Sequence, residues 1–324
     1  MSTKKYVNKL LSNWGVGWWQ RQENYIALKV ATVLPVKQRT GNYGSMDRAD
    51  WFRDEVAERV RGQESAGGDY EVDLDNEYNC RRRSFHYDIP NDELEETDKP
   101  FDLKRDGTRF VMQKFAIRAE RQFASSFLGS GKGWNDRTGV ASTTPSTNQF
   151  TQFNKTGAKP VDVVHEYRDE IAGYGFKPNV FIASPDLHRC LCNHDDVLKR
   201  IQYSQKGIVT EDLLAELFEI EHYYVARAVA NTAVKGAAEN TGYIFRNGFW
   251  LGYIDPTPAS VETPTACMTF ALEKYFGATR LGSRIKEFPI DEKDCVRIEG
   301  DQAIDMHIVE GALGTLGVTP LATA

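Results

Sequence analysis

The 29 residues from Thr40 to Gly68, TGNYGSMDRADWFRDEVAERVRGQESAGG, hold too little apolar surface to fold alone. They carry six acids (Asp47, Asp50, Asp54, Glu55, Glu58, Glu64) and four arginines (Arg48, Arg53, Arg59, Arg61). Apolar content is limited to Met46, Val56, Val60, a few alanines and the aromatics Tyr43, Trp51 and Phe52. Gly41 and Gly44 mark one end, and Gly67 and Gly68 the other. A structureless connection of this length is uncommon in a compact domain unless it is functional or disordered. Disordered segments are usually poor in large aromatics. Aromatics and arginines ringed by charge are the side chains that concentrate binding energy at protein interfaces. The stretch therefore reads as an arm reaching for a neighbour, with Tyr43, Arg48, Trp51, Phe52, Arg53, Asp54, Glu55, Arg59 and Arg61 as candidate contacts.

Upstream, residues 1–35 hold Trp14, Trp18 and Trp19 around Gly15 and Gly17. Either these tryptophans pack on the chain's own core from an N-terminal helix, or they anchor a second arm on an adjacent subunit. The glycines disfavour a regular helix, and the three tryptophans join the candidate contacts. Residues 31–36 read as a short strand entering the arm. Downstream, 70–74 alternates polar and apolar, and 82–89 forms a strand around Phe85 and Tyr87. With the strand at 31–36 these predict a two-stranded excursion that returns to where it left.

Residues 88–99 are acidic and polar, a linker by composition. From Pro100 to Leu128 apolar residues recur at i, i+3, i+4 and i+7, which predicts one helix about 40 Å long, a spine for the molecule. Gly107 weakens its first turns. Residues 129–159, rich in Gly, Ser, Thr and Asn, read as a surface connection. Helices and short strands alternate from Pro160, with Thr210 an N-cap for a helix to Phe218. After Pro256 and Pro258 the pattern is β, at 268–273, 279–285, 294–298 and 303–309. For 311–324, small and uncharged, a final strand and a frayed tail both stay open. The class is α+β.

At 324 residues, with 41% hydrophobic and 27% charged residues, the chain is an ordinary globular protein of one large domain or two lobes. No run approaches the roughly 18 apolar residues that span a bilayer. The five cysteines are odd in number and scattered, which suits free thiols in a reducing compartment. A net charge of −6, with basic runs no longer than Lys4-Lys5 and Arg81-Arg82-Arg83, argues against tight nucleic-acid binding. An acidic wall that encloses nucleic acid without gripping it fits this balance.

Motifs for catalysis or cofactors fail on spacing. Gly129-Ser130-Gly131-Lys132-Gly133 lacks the upstream glycine and the hydroxyl residue of a phosphate loop, and follows a helix where a strand should stand. His188, Cys190, Cys192 and His194 alternate, and on a helix positions i and i+2 diverge, leaving only His188 and Cys192 able to meet. Two ligands do not make a structural zinc site. His165-Glu166 has Asp169 where a zinc-protease helix needs histidine. There is no Gly-x-Ser-x-Gly elbow. No catalytic, metal or cofactor residue is expected.

The order of elements resembles the major capsid proteins of tailed bacteriophages, the Hong Kong 97-type fold, over nearly the whole chain. Val33-Leu34-Pro35-Val36 leads to Tyr43, and Ala66-Gly67-Gly68 closes the extended loop. Glu120 lies in the spine stretch 115–127. Lys177-Pro178-Asn179-Val180 precedes Ser184-Pro185-Asp186-Leu187 and then 194–201, and the run 210–218 precedes a strand. These are patterns of residue type and order. The resemblance implies an N-terminal arm at 1–35 and an extended loop at 40–72. It implies a peripheral domain at 73–158, with the spine helix at about 100–128, and at 256–324. It implies an axial domain at 159–255.

Its implied function is a shell subunit that self-assembles as pentamers and hexamers into the icosahedral head around double-stranded DNA, without sequence-specific binding. Portal and scaffolding proteins, and a decoration protein, are its implied partners. The implied location is the virion, assembled in the host bacterial cytoplasm, with no membrane and no enzymatic role. Two departures stand out. No scaffold segment precedes the arm, so a scaffold is expected as another protein or as a segment already removed. No lysine lies between Gly41 and Tyr70, where some members cross-link. An encapsulin-type nanocompartment is the alternative of the same fold, and an unrecognised soluble α/β enzyme the alternative of another class.

Overall fold

The computed structural model describes residues 6–7, 24–46, 52–59, 61–62, 64–70, 72–96, 100–201, 209–258, 260–275 and 283–322. Two six-stranded sheets organise them. In the first, the order is Tyr6–Val7, Ser283–Ile290, Cys295–Ile308, Cys267–Leu272, Val33–Val36, and Arg82–Pro90 also pairs with Cys295–Ile308. That 14-residue strand is the backbone of the lobe. Its first part lies between Ser283–Ile290 and Arg82–Pro90, both antiparallel, and its end pairs with Cys267–Leu272. The sequence divides this strand in two, at 294–298 and 303–309, because Gly300 and Asp301 interrupt its alternation.

The spine helix, Pro100–Phe127, crosses this sheet. Val111, Phe115, Ala119, Phe123 and Phe127 recur every fourth residue and are all buried. Close approach requires glycine at the crossing. A Cβ on Gly300 would fall 2.4 Å from the Phe115 ring and 2.7 Å from Val111. Gly107, which weakens the helix as an isolated element, meets Ile298 and Tyr87 in the same way. The helix ends where the indole N–H of Trp134 donates to the Phe127 carbonyl at 2.7 Å.

The second sheet runs Gln149–Thr151, Asn135–Val140, Gly314–Val318, Gly248–Gly252, Val180–Ala183, His222–Val225. Its central strands Val180–Ala183 and Gly248–Gly252 are buried at every position, as strands covered on both faces must be. Helices Pro160–Ala172, Pro185–Cys192, Asp195–Ile201 and Glu211–Phe218 belong to this lobe. The hydroxyls of Ser184 and Thr210 cap two of them, accepting from the N–H groups of Leu187 and Leu213.

This topology corrects the sequence-derived division at two places. Residues 129–159 are not merely a connection, since they supply two strands. Those strands and Gly314–Val318 join the sheet of the 159–255 lobe, not the peripheral lobe to which 73–158 and 256–324 were assigned. The chain's last described strand thus bridges Gly248–Gly252 and Asn135–Val140.

Candidate assembly surface

The charged stretch sits in a hairpin outside both large sheets. Thr40–Met46 pairs antiparallel with Val72–Asn79 and, among the described residues, with no other strand. The partner expected from sequence, Val33–Val36, instead lies parallel to Cys267–Leu272. The excursion therefore leaves the first sheet after Val36 and returns to it at Arg82.

Its root is fixed in the chain's own core. Tyr43 is 5% exposed, with its ring centroid 5.1 Å from both Phe270 and His307. Tyr78 stacks on Phe270 at 4.5 Å. Burial, aided by nearby Asp305, pushes the Tyr43 hydroxyl up to about 12. Asp305 accepts from the Asn79 N–H at 2.8 Å and contacts His307 Nε2 at 2.8 Å. Burial alone would raise the Asp305 carboxyl, but these hydrogen bonds outweigh it and hold it below the usual range. Tyr43 is thus a core residue of its own subunit, which corrects its reading as a contact to a neighbour. Its neighbours Phe270 and His307 lie more than 200 residues downstream, so local sequence gave no sign of its burial.

The outer part is exposed. Phe52 is 60% and Val56 94% exposed. Arg53 pairs with Glu55 at 3.1 Å, and Asp54 accepts from the Val56 N–H at 3.4 Å. Both contacts are local and solvent-facing, so they hold little energy. Arg59 and Arg61 are likewise exposed. One edge of the Phe52 ring lies against Gly175, where a Cβ would fall 2.3 Å from it. Trp14, Trp18, Trp19, Arg48 and Trp51 lie outside the described residues.

Two further arrangements escaped sequence reasoning. Glu120, on the inward face of the spine helix, is 4% exposed and accepts from the Ala27 N–H at 2.6 Å. Ala27 opens the short helix Ala27–Val30, which leads out of the N-terminal segment. Burial pushes the Glu120 carboxyl up to about 7, against the lowering effects of hydrogen bonds from the Ala27 and Ile26 backbone and of nearby Lys29. The other is an ion network across three strands. Asp301, with no exposed surface, binds Arg82 at 2.6 Å, Arg284 at 3.1 Å and Ser84 at 2.6 Å, together with Lys286. Burial would raise its carboxyl, but hydrogen bonds from Lys286, Ser84 and Arg82 bring it down to about 2.

The rejected motifs have structural roles. Ser130 Oγ and the Gly131 N–H both donate to Asp136 at 2.6 Å, so a carboxylate of the chain itself fills the glycine loop. Cys192 Sγ lies 3.6 Å from His188 Nε2 within one helix. No group of three or more metal-ligating side chains assembles among the described residues. No helix among the described residues is long and apolar enough to cross a membrane.

A phage-related protein of Bordetella bronchiseptica superposes with a TM-score of 0.76 at 19% identity, covering 99% of this chain and 100% of that one. The holo-SrpI encapsulin of Synechococcus elongatus gives 0.55 at 11% identity, covering 94% and 90%. The capsid of cyanophage P-SCSP1u gives 0.53 at 9%, covering 89% and 86%. The chain has the Hong Kong 97-type fold, the α+β architecture of phage heads and related shells. In sequence it is similar to the major capsid protein of Burkholderia phage BcepMu, 23% identical over 241 residues, 71% of each chain. No protein-family model matches.

Proposed function

We infer that this chain is the major capsid protein of a tailed bacteriophage, the repeated subunit of a closed shell around double-stranded DNA. The observation that carries this reading is a hairpin that leaves the body of a Hong Kong 97-type fold with its root buried and its charged outer part unburied. The outer part of such an element contributes little to its own subunit and is placed to gain its contacts from the next copy. Closed shells repeat one interface many times, so moderate contacts at each suffice. The likeness to the BcepMu capsid protein supports the phage reading over the encapsulin one.

In this reading residues 1–35 form an arm and about 40–72 the extended loop lying over a neighbour. Phe52, Arg53, Asp54, Glu55, Arg59 and Arg61 supply contacts of the loop, with Arg48 and Trp51, and Trp14, Trp18 and Trp19 supply those of the arm. Pentamers and hexamers build the icosahedron, with portal and scaffolding proteins, and a decoration protein, as partners. The protein resides in the virion after assembly in the host cytoplasm, and its role is structural, not catalytic.

Purified protein at rising concentration, followed by sedimentation velocity and negative-stain microscopy, tests this. Closed particles of uniform diameter are expected. A persistent monomer of 36.6 kDa overturns the reading. Particles filled with a protein cargo and lacking a portal vertex convert it to a nanocompartment.

A further inference from the structure

Several arginines of this chain meet a carboxylate, among them Arg137, Arg168, Arg200, Arg227, Arg284 and Arg297. One face of the spine helix gathers cations that do not. Lys114, Arg118 and Arg121 are exposed on it, at spacings of four and three that place them in one stripe. No acid shares that stripe between Phe110 and Ser125, since Glu120 points inward. None of the three has a carboxylate partner among the described residues. Lys114 instead sits over the Phe110 ring, 4.9 Å from its centroid. Arg83, on the adjoining strand Arg82–Pro90, and Arg81, just before it, extend the patch. Burial first, and then the charges of Arg118 and Arg81, hold the Arg83 guanidinium below its ordinary value, so these cations repel one another. The carboxylate that acts on Arg83, Asp305, is already engaged by His307 and the Asn79 N–H.

Several exposed cations gathered without an acid among them offer a surface that attracts an anionic partner. The extended hairpin of a second copy is one source, but it interleaves its acids with Arg53, Arg59 and Arg61 and already pairs Arg53 with Glu55. A stripe of a single sign fits a partner of a single sign better. Duplex DNA presents one phosphate charge per about 1.7 Å of axis. We propose that Lys114, Arg118 and Arg121, flanked by Arg81 and Arg83, form a sequence-independent contact surface for the phosphate backbone of double-stranded DNA, and that this face of the spine helix looks into the shell. The proposal rests on the shell reading and adds to it which wall meets the genome. Contact confined to one stripe of a chain with net charge −6 gives weak, salt-sensitive binding, compatible with packaging and release.

The test uses the unassembled full-length chain and a mixed-sequence 30-base-pair duplex, with fluorescence anisotropy between 50 and 200 mM salt. Each phosphate contact contributes about 0.9 to the slope of log affinity against log salt. The variant K114Q/R118Q/R121Q is expected to bind more weakly and to lose about 2.7 of slope, removing a roughly 40-fold part of the affinity change over that salt range. The control K132Q/K155Q/R246Q, exposed cations elsewhere, keeps the wild-type slope. Equal slopes in wild type and stripe variant, or no DNA binding by wild type, overturn the proposal. Particle formation is read on the same preparations. A folded stripe variant that no longer assembles assigns the stripe to a second copy and overturns the proposal while sparing the shell reading. A wild type that never assembles removes the shell reading, and the slope comparison still decides the stripe.

Discussion

The Glu120 carboxylate accepts the Ala27 N–H at 2.6 Å inside the core, tying the middle of the spine helix to the start of the helix that ends the N-terminal segment. Two rigid pieces of the subunit therefore share one ionisable joint. Lys29 and Tyr25 face the same joint from the N-terminal side, and the Tyr25 hydroxyl is bonded by Gln113 of the spine helix.

Stability should carry the signature of that joint. The folded Glu120 carboxyl, at about 7, lies above its unfolded value, so folding takes up a proton. The contribution is most favourable below about pH 4.5, declines as pH rises through 7, and is flat above. The full difference is about 3 kcal/mol. Glu120→Gln, which keeps an acceptor without the charge, should be more stable than wild type at pH 8 and should lose this pH dependence. Urea unfolding of the unassembled chain at pH 5 and pH 8 measures it. Parallel profiles for the two proteins would show that Glu120 does not titrate in this window.

Root and tip of the hairpin should separate cleanly. Tyr43→Ala removes a buried ring and should cost about 3–5 kcal/mol of subunit stability. Phe52→Ala, at an exposed site, should change subunit stability by less than about 0.5 kcal/mol yet raise the protein concentration needed for assembly. Urea unfolding reads the first and light scattering the second. A Phe52→Ala protein that assembles normally takes that ring out of the interface.

The ion network around Asp301 should behave as a buried one. Asp301→Asn leaves Lys286 and two arginines facing a neutral group, and breaking such a network costs about 3–5 kcal/mol. The urea midpoint should fall with an unchanged m-value. A loss under about 1 kcal/mol would mean that water already screens the site.

The spine helix was legible because its 28 residues repeat one apolar phase many times over. The Thr210 cap was legible for a local reason, a hydroxyl three residues before the N–H it binds. What escaped depends on distant partners. Gly314–Val318 is small and weakly patterned, and becomes a strand because Gly248–Gly252 offers it a ladder. Asn135–Val140 reads as loop by composition until that strand lies beside it. Tyr43 looked like a loop aromatic because Phe270 and His307, which bury it, are remote in sequence. Glu120 carried a readable signal: the phase that buries Ala116 and Phe123 also turns position 120 inward, and an inward carboxylate demands a donor.

The shell should be held without covalent bonds between subunits. With no lysine between Gly41 and Tyr70, boiled and reduced particles should run as single chains of 36.6 kDa on a denaturing gel. Exposed ion pairs of the loop contribute about 0–1 kcal/mol each, and screening over about 8 Å weakens them as salt rises. Ladders of multimers would contradict the non-covalent account. Particles indifferent to molar salt would credit the aromatics instead.

Cryo-electron microscopy of the assembled protein tests the central claim most directly. The account predicts closed icosahedral particles in which the Thr40–Met46 and Val72–Asn79 hairpin keeps Tyr43 in its own subunit while Phe52 and its charged neighbours lie across the next one. Particles in which the outer hairpin stays on its own body and neighbours meet elsewhere, or a protein that forms no particles at any concentration, would contradict it.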